Sequence, residues 1–245
     1  MRKFLPLILL VLGIGVVMAV YFLVIRKPTK TTTSEETSTL VELPLVQRPI
    51  ASLVPSADGH YLNLKIEKLN QTAASVEYEL LYNLPDGRTQ GVPGMIQLAG
   101  QKVIERSLLL GSESSGKFRY DTGVKEGTLT VRFRNEAGKL VNKYSTKFAL
   151  LSNIKELTSI DEKFTFSLAK LNSKDFFVVM DTFGVTNEVP AALVAGPVGV
   201  FSSAKIPLAG TVKLDGTNIY KESASGWAKL EAGKSSDIGV FIGTE

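Results

Sequence analysis

Thr128-Leu129-Thr130-Val131-Arg132-Phe133-Arg134 is followed by Asn135-Glu136-Ala137-Gly138 and then by Leu140 to Tyr144. Apolar and polar residues alternate through the first seven positions. A strand puts successive side chains on opposite faces, so this segment reads as a strand with one buried and one wet face. The glycine that closes the next four residues supplies the positive φ that a short hairpin needs.

The same period of two runs outward in both directions. Leu62, Leu64 and Ile66 alternate with Asn63, Lys65 and Glu67; Val76, Tyr78, Leu80 and Tyr82 form a second row; Phe164, Phe166 and Leu168 a third. Further turn signals stand at Pro85-Asp86-Gly87 and Asp215-Gly216. A helical turn is expected only around Ser152–Leu157. Short strands with frequent turns predict an all-β fold of antiparallel sheets. A weak internal repeat adds to this. Leu62–Asn70 aligns with Phe164–Asn172, 102 residues later, and Ser56-Ala57-Asp58 with Ser159-Ile160-Asp161 if the turns differ by one residue. Shorter echoes include Val92-Pro93 with Val189-Pro190, Ala99-Gly100 with Ala195-Gly196 and Gly127-Thr128 with Gly210-Thr211. The expectation is one or, better, two tandem β-sandwich modules of immunoglobulin or fibronectin-III type, over 50–151 and 152–245. The cysteine pair of true immunoglobulin domains is missing, so the comparison is one of architecture.

The N-terminal end reads differently. Phe4 to Ile25 is a run of 22 residues without a charge, including Leu9, Leu12, Val16 and Phe22. As a helix it would extend roughly 33 Å, against a hydrocarbon core of about 30 Å. Arg2 and Lys3 flank it on one side and Arg26, Lys27 and Lys30 on the other. Residues 1–27 are therefore expected to be an uncleaved membrane anchor, the chain meeting the lipid bilayer through residues 4–25. A cleaved signal peptide is the competing reading. It is disfavoured because the apolar run continues past the small residues at Ala19. Residues 28–49, rich in Thr, Ser, Glu and Pro, read as a linker that buries too little surface to order itself. The body is expected on the extracytoplasmic side of the cell membrane.

Composition excludes much chemistry. The 245 residues hold no cysteine and a single histidine, His60. This removes thiolate nucleophiles, Cys-ligated metals and any His–His site. Among the Ser-x-x-Lys tetrads of the chain are Ser114–Lys117 and Ser202–Lys205. Catalysis by that tetrad needs a helical turn to bring amine to hydroxyl, and these two sit in β-rich context. Asp121, Glu126, Asp181 and Glu188 are carboxylates of the kind that serve glycoside hydrolysis, but their separation in space is not a sequence property. No catalytic residue, cofactor or metal ligand is assigned. The candidate ligand positions are Ser112, Glu113, Ser114 and Ser115, in a polar loop, together with Trp227, the only tryptophan.

The net charge of +4 would suggest a nucleic-acid partner if it belonged to the body. It does not. Removing the five basic residues of positions 1–30, which contain no Asp or Glu, from the total of 28 leaves 23 basic against 24 acidic residues. Positive charge beside the apolar run is a membrane-topology signal. The expected function is binding, adhesion or a structural role in the cell envelope, with a protein or glycan partner at the cell surface and no nucleic acid. The alternative is a membrane-tethered hydrolase or carbohydrate-active enzyme.

Overall fold

The computed structural model describes residues 42–69 and 72–245. The run Phe4–Ile25, its basic flanks and the linker up to residue 41 lie outside the described residues. Among those described, no helix is long and apolar enough to cross a membrane.

The described residues belong to one compact unit. Its strands are β1 (Ile50–Pro55), β2 (Tyr61–Glu67), β3 (Ser75–Asn83), β4 (Thr89–Gln97), β5 (Ile104–Leu109), β6 (Gly111–Ser114), β7 (Lys117–Tyr120), β8 (Glu126–Arg134), β9 (Leu140–Ser152), β10 (Glu156–Thr158), β11 (Thr165–Leu168), β12 (Phe176–Asp181), β13 (Leu193–Ser202), β14 (Gly210–Lys213), β15 (Asn218–Ser223), β16 (Gly226–Lys229), β17 (Lys234–Ser235) and β18 (Val240–Thr244). The predicted all-β class holds. The helical turn expected at Ser152–Leu157 does not: the chain there enters strand β10, because Leu157 is needed in a core opposite Phe166.

One nine-stranded antiparallel sheet dominates, in the order β16-β15-β18-β13-β12-β9-β8-β3-β4. A sheet β1-β2-β5 and a sheet β10-β11-β14-β17 accompany it. Two cores result. Leu53, Leu64 and Ile66 of the first small sheet meet Leu80, Val131 and Phe133 of the large one. Leu157, Phe166 and Val212 of the second meet Val200 and Phe241. The strands in the middle serve both. On β12, Val178 and Met180 belong to the first core and Phe177 and Val179 to the second; on β9, Phe148 and Leu150 belong to the first and Ala149 to the second. Alternate side chains of one strand point to opposite faces, so the two small sheets cover opposite faces of the shared sheet. The boundary read at residues 151/152 falls at the end of β9, and the large sheet runs across it. Away from the middle, the outer face of β3 and β8 is wet, with Arg132–Glu79 and Arg134–Glu77 ion pairs at 3.2 and 2.7 Å.

Two turn signals close hairpins as read. Asp86-Gly87 joins β3 to β4, and Asn135 accepts the N–H groups of Ala137 and Lys139 between β8 and β9. Asp215-Gly216 does not close one. β14 pairs with β11 and β17 while β15 pairs with β16 and β18, so this dipeptide carries the chain from one sheet to another.

The Ser56 and Ser159 turns share one hydrogen-bond pattern. Ser56 Oγ donates to Asp58 at 2.6 Å and accepts the Tyr61 N–H, while Ser56 N–H bonds the Tyr61 carbonyl. Ser159, Asp161 and Phe164 repeat each of these bonds. The turns have equal length, correcting the one-residue difference expected. The compensation is in parity: Leu62, Leu64 and Ile66 are buried in one copy, and Phe164, Phe166 and Leu168, still 102 positions on, in the other. The same turn is thus used with opposite sides of the hairpin against a core. The later echoes fall on unlike elements; Gly127 is in the large sheet and Gly210 in a small one.

In both turns the serine hydroxyl is the main influence holding the aspartate below its ordinary range. A carboxylate ionised at lower pH in the folded than in the unfolded state adds stability above about pH 4, and that stability is lost as pH falls through the folded value. Urea melts at pH 6 and pH 3 should therefore diverge in the native chain. The Asp58→Asn and Asp161→Asn double variant should narrow that gap.

Residues 43–48 are held by hydrogen bonds. A 3₁₀ turn at Leu45–Gln47 follows Arg48 Nε donating to the Leu43 carbonyl at 2.7 Å. The carbonyls of Leu45 and Arg48 approach Gly184 so closely that a Cβ there would collide with both. Lys68, just past β2, donates from Nζ to the carbonyls of Val46, Val185 and Thr186 at 3.2, 2.8 and 2.9 Å. Lys68→Met leaves three carbonyls without their cation and should cost about 2 kcal/mol. Faster proteolytic nicking between residues 42 and 48 is the readout.

Candidate functional site

Ser112, Glu113 and Ser114 lie on β6, and Ser115-Gly116, both at positive φ (52° and 75°), turn the chain into β7. Such a two-residue turn matches the twist of a hairpin. Gly111 pairs with Tyr120, Ser112 with Arg119, Glu113 with Phe118 and Ser114 with Lys117. Directly opposed residues share a face. The hairpin therefore sorts its side chains: Glu113, Phe118 and Tyr120 on one face, Ser112, Ser114, Lys117 and Arg119 on the other.

The aromatic face continues onto the Ser56–Tyr61 turn. His60 stacks on Tyr120 with centroids 3.9 Å apart and planes within 6°. Phe118 lies parallel to Tyr120 within 8° at 6.1 Å, and Tyr61 meets it edge-on at 6.3 Å. Phe118 is 48% and Tyr120 38% exposed. His60 Nδ1 is 3.1 Å from an Asp58 carboxylate oxygen. Burial, the Tyr120 hydroxyl and the charges of Asp58 and Glu113 all push the Tyr61 phenol upward, so two carboxylates border this group of rings.

The base of the hairpin is fixed. Leu110 N–H bonds the His60 carbonyl at 2.8 Å and Asp121 N–H the Leu110 carbonyl at 2.9 Å. Tyr82, buried in the first core, donates from its hydroxyl to Asp121 at 2.9 Å. Burial and this bond hold the Tyr82 phenol well above its usual range. Tyr82→Phe should cost about 1 kcal/mol, read as a shift in urea midpoint, since Asp121 retains access to water.

Trp227 lies elsewhere, on β16 at the edge of the large sheet, paired with Glu222. Its indole N–H donates to the Asn187 carbonyl at 3.2 Å, and Glu222 accepts the N–H groups of Thr186 and Asn187. Trp227 is part of a clamp on that loop. The four carboxylates are dispersed: Asp121 is engaged by Tyr82, Glu126 by Asn83, Asp181 ends β12 and Glu188 lies in the loop before β13. Ser114 faces Lys117 across an exposed hairpin, and Ser202 Oγ donates to the Phe176 carbonyl; neither Ser-x-x-Lys is on a helix. Among the described residues no group of three or more His, Asp or Glu side chains is placed to hold a metal ion.

Residue patterns alone did not bring Phe118, Tyr120 and His60 together. The usable signal was the alternation in Lys117-Phe118-Arg119-Tyr120 after a two-residue turn, which leaves two rings on one side of a short hairpin. Comparison with protein-family models, with curated proteins and with solved structures gave no match to this chain.

Proposed function

We propose that this chain is a single-pass, membrane-anchored extracytoplasmic protein of the cell envelope, built as an immunoglobulin-like β-sandwich body around one shared sheet, that works by binding through the β6–β7 aromatic hairpin. One observation carries the reading. Ile50 pairs with Glu67 at one end of the β1–β2 hairpin, and Pro55 with Leu62 at the other. Residues 42–48 reach β1 at the Glu67–Lys68 end, while His60 and the β6–β7 hairpin lie at the Leu62 end. The chain thus enters this ladder at one end and carries the exposed rings at the other. Exposed aromatics on a loop fixed to a rigid scaffold are a common form of recognition surface.

The topology is tested by a reporter fused after Glu245 that is active only when exported, together with protease shaving of intact cells. Reporter activity and release of a body beginning near residue 42 are expected. An inactive reporter with full protection overturns the reading.

A further inference from the structure

We infer that the hairpin face takes a linear glycan of neutral or amino sugars, with Phe118 as the stacking surface and Glu113 accepting hydrogen bonds from sugar hydroxyls. This rests on the reading of the hairpin as a binding surface and gives its ligand a class.

Size comes first. A stable protein partner covers about 800 Å² and 20–30 residues on each side. The face here is three rings and an imidazole on and beside the hairpin Gly111–Tyr120. That suits one or two sugar rings. Orientation comes second. Phe118 and Tyr120 are parallel, and Tyr120 is held by His60 behind it, so the rings are set before any ligand arrives. The C–H face of a pyranose packs on such a ring while its hydroxyls stay free to donate. Charge comes third. Glu113 stands across from Phe118, and Asp58 and Glu113 both act on Tyr61, whereas Lys117 and Arg119 project from the opposite face. Carboxylates accept from vicinal hydroxyls and from a sugar ammonium, and they repel a uronate.

The test is retention of the full chain, kept in mild detergent, on chitin, on cellulose and on a polygalacturonate resin. Retention on chitin or cellulose and not on polygalacturonate is expected. Phe118→Ala should weaken it tenfold or more and Glu113→Gln about threefold, both with unchanged melting temperatures because the side chains are exposed. Equal retention of Phe118→Ala, retention on polygalacturonate alone, or none on any of the three overturns the glycan assignment. A photo-crosslinking residue at position 118 separates the two proposals. Attachment to a protein on intact cells, with no polysaccharide retained, removes the glycan and leaves the binding surface. No crosslink and no retention removes both.

Discussion

A chain ending at Leu151 is expected not to reach the native fold. Val178, Met180 and Phe183 are buried in the first core, yet all lie beyond that point. At about 1.5–3 kcal/mol each, their loss removes roughly 5–9 kcal/mol, comparable with the whole net stability of an ordinary domain. The five pairs between Phe176–Met180 and Ser152–Phe148 go with them. β9 then becomes an open edge carrying Phe148, Ala149 and Leu150, a site for aggregation. Sparse amide dispersion in NMR spectra and concentration-dependent association would bear this out. A cooperative melt of the shortened chain, at native secondary-structure content, would instead mean that the halves fold alone.

Phe241→Ala is expected to cost about 3–5 kcal/mol. Its ring is fully buried in the second core, 5.8 Å from that of Phe164 and 5.7 Å from that of Phe166. Removing it deletes two ring contacts at once and opens a cavity between a small sheet and the large one. For a body of this size the melting temperature should drop by roughly 10 °C or more. The loss should appear as one transition, because β9 and β12 belong to both cores. Phe241→Leu should recover most of it. A drop of only a degree or two for the alanine variant would mean that the core closes over the gap.

Much of the fold is legible in the sequence. Strands with one wet face announce themselves by alternation, as Leu129, Val131 and Phe133 do, and Asp86-Gly87 marks its hairpin because a tight turn needs glycine's positive φ. The centre of the sheet was hidden for the same reason that it is central. Phe176-Phe177-Val178-Val179-Met180 shows no alternation because small sheets cover both of its faces. Asp215-Gly216 looks like a hairpin, since a local turn does not say which strands its flanks will pair with. At the site, Ser112–Ser115 were visible as a polar loop. The rings beside them were not, because His60 and Tyr120 meet only through the pairing of β2 with β5, whose register places Tyr61 opposite Leu109.

The antiparallel β1–β2 ladder has a mechanical consequence. On the proposed reading, a ligand held at the hairpin and a pull on residue 42 would draw in opposite senses along the strand axis. β1 would then be loaded lengthwise against β2, and the rungs from Ile50–Glu67 to Pro55–Leu62 would bear the strain together. Had the chain entered at the other end of β1, the same pull would peel those rungs apart one at a time, at far lower force.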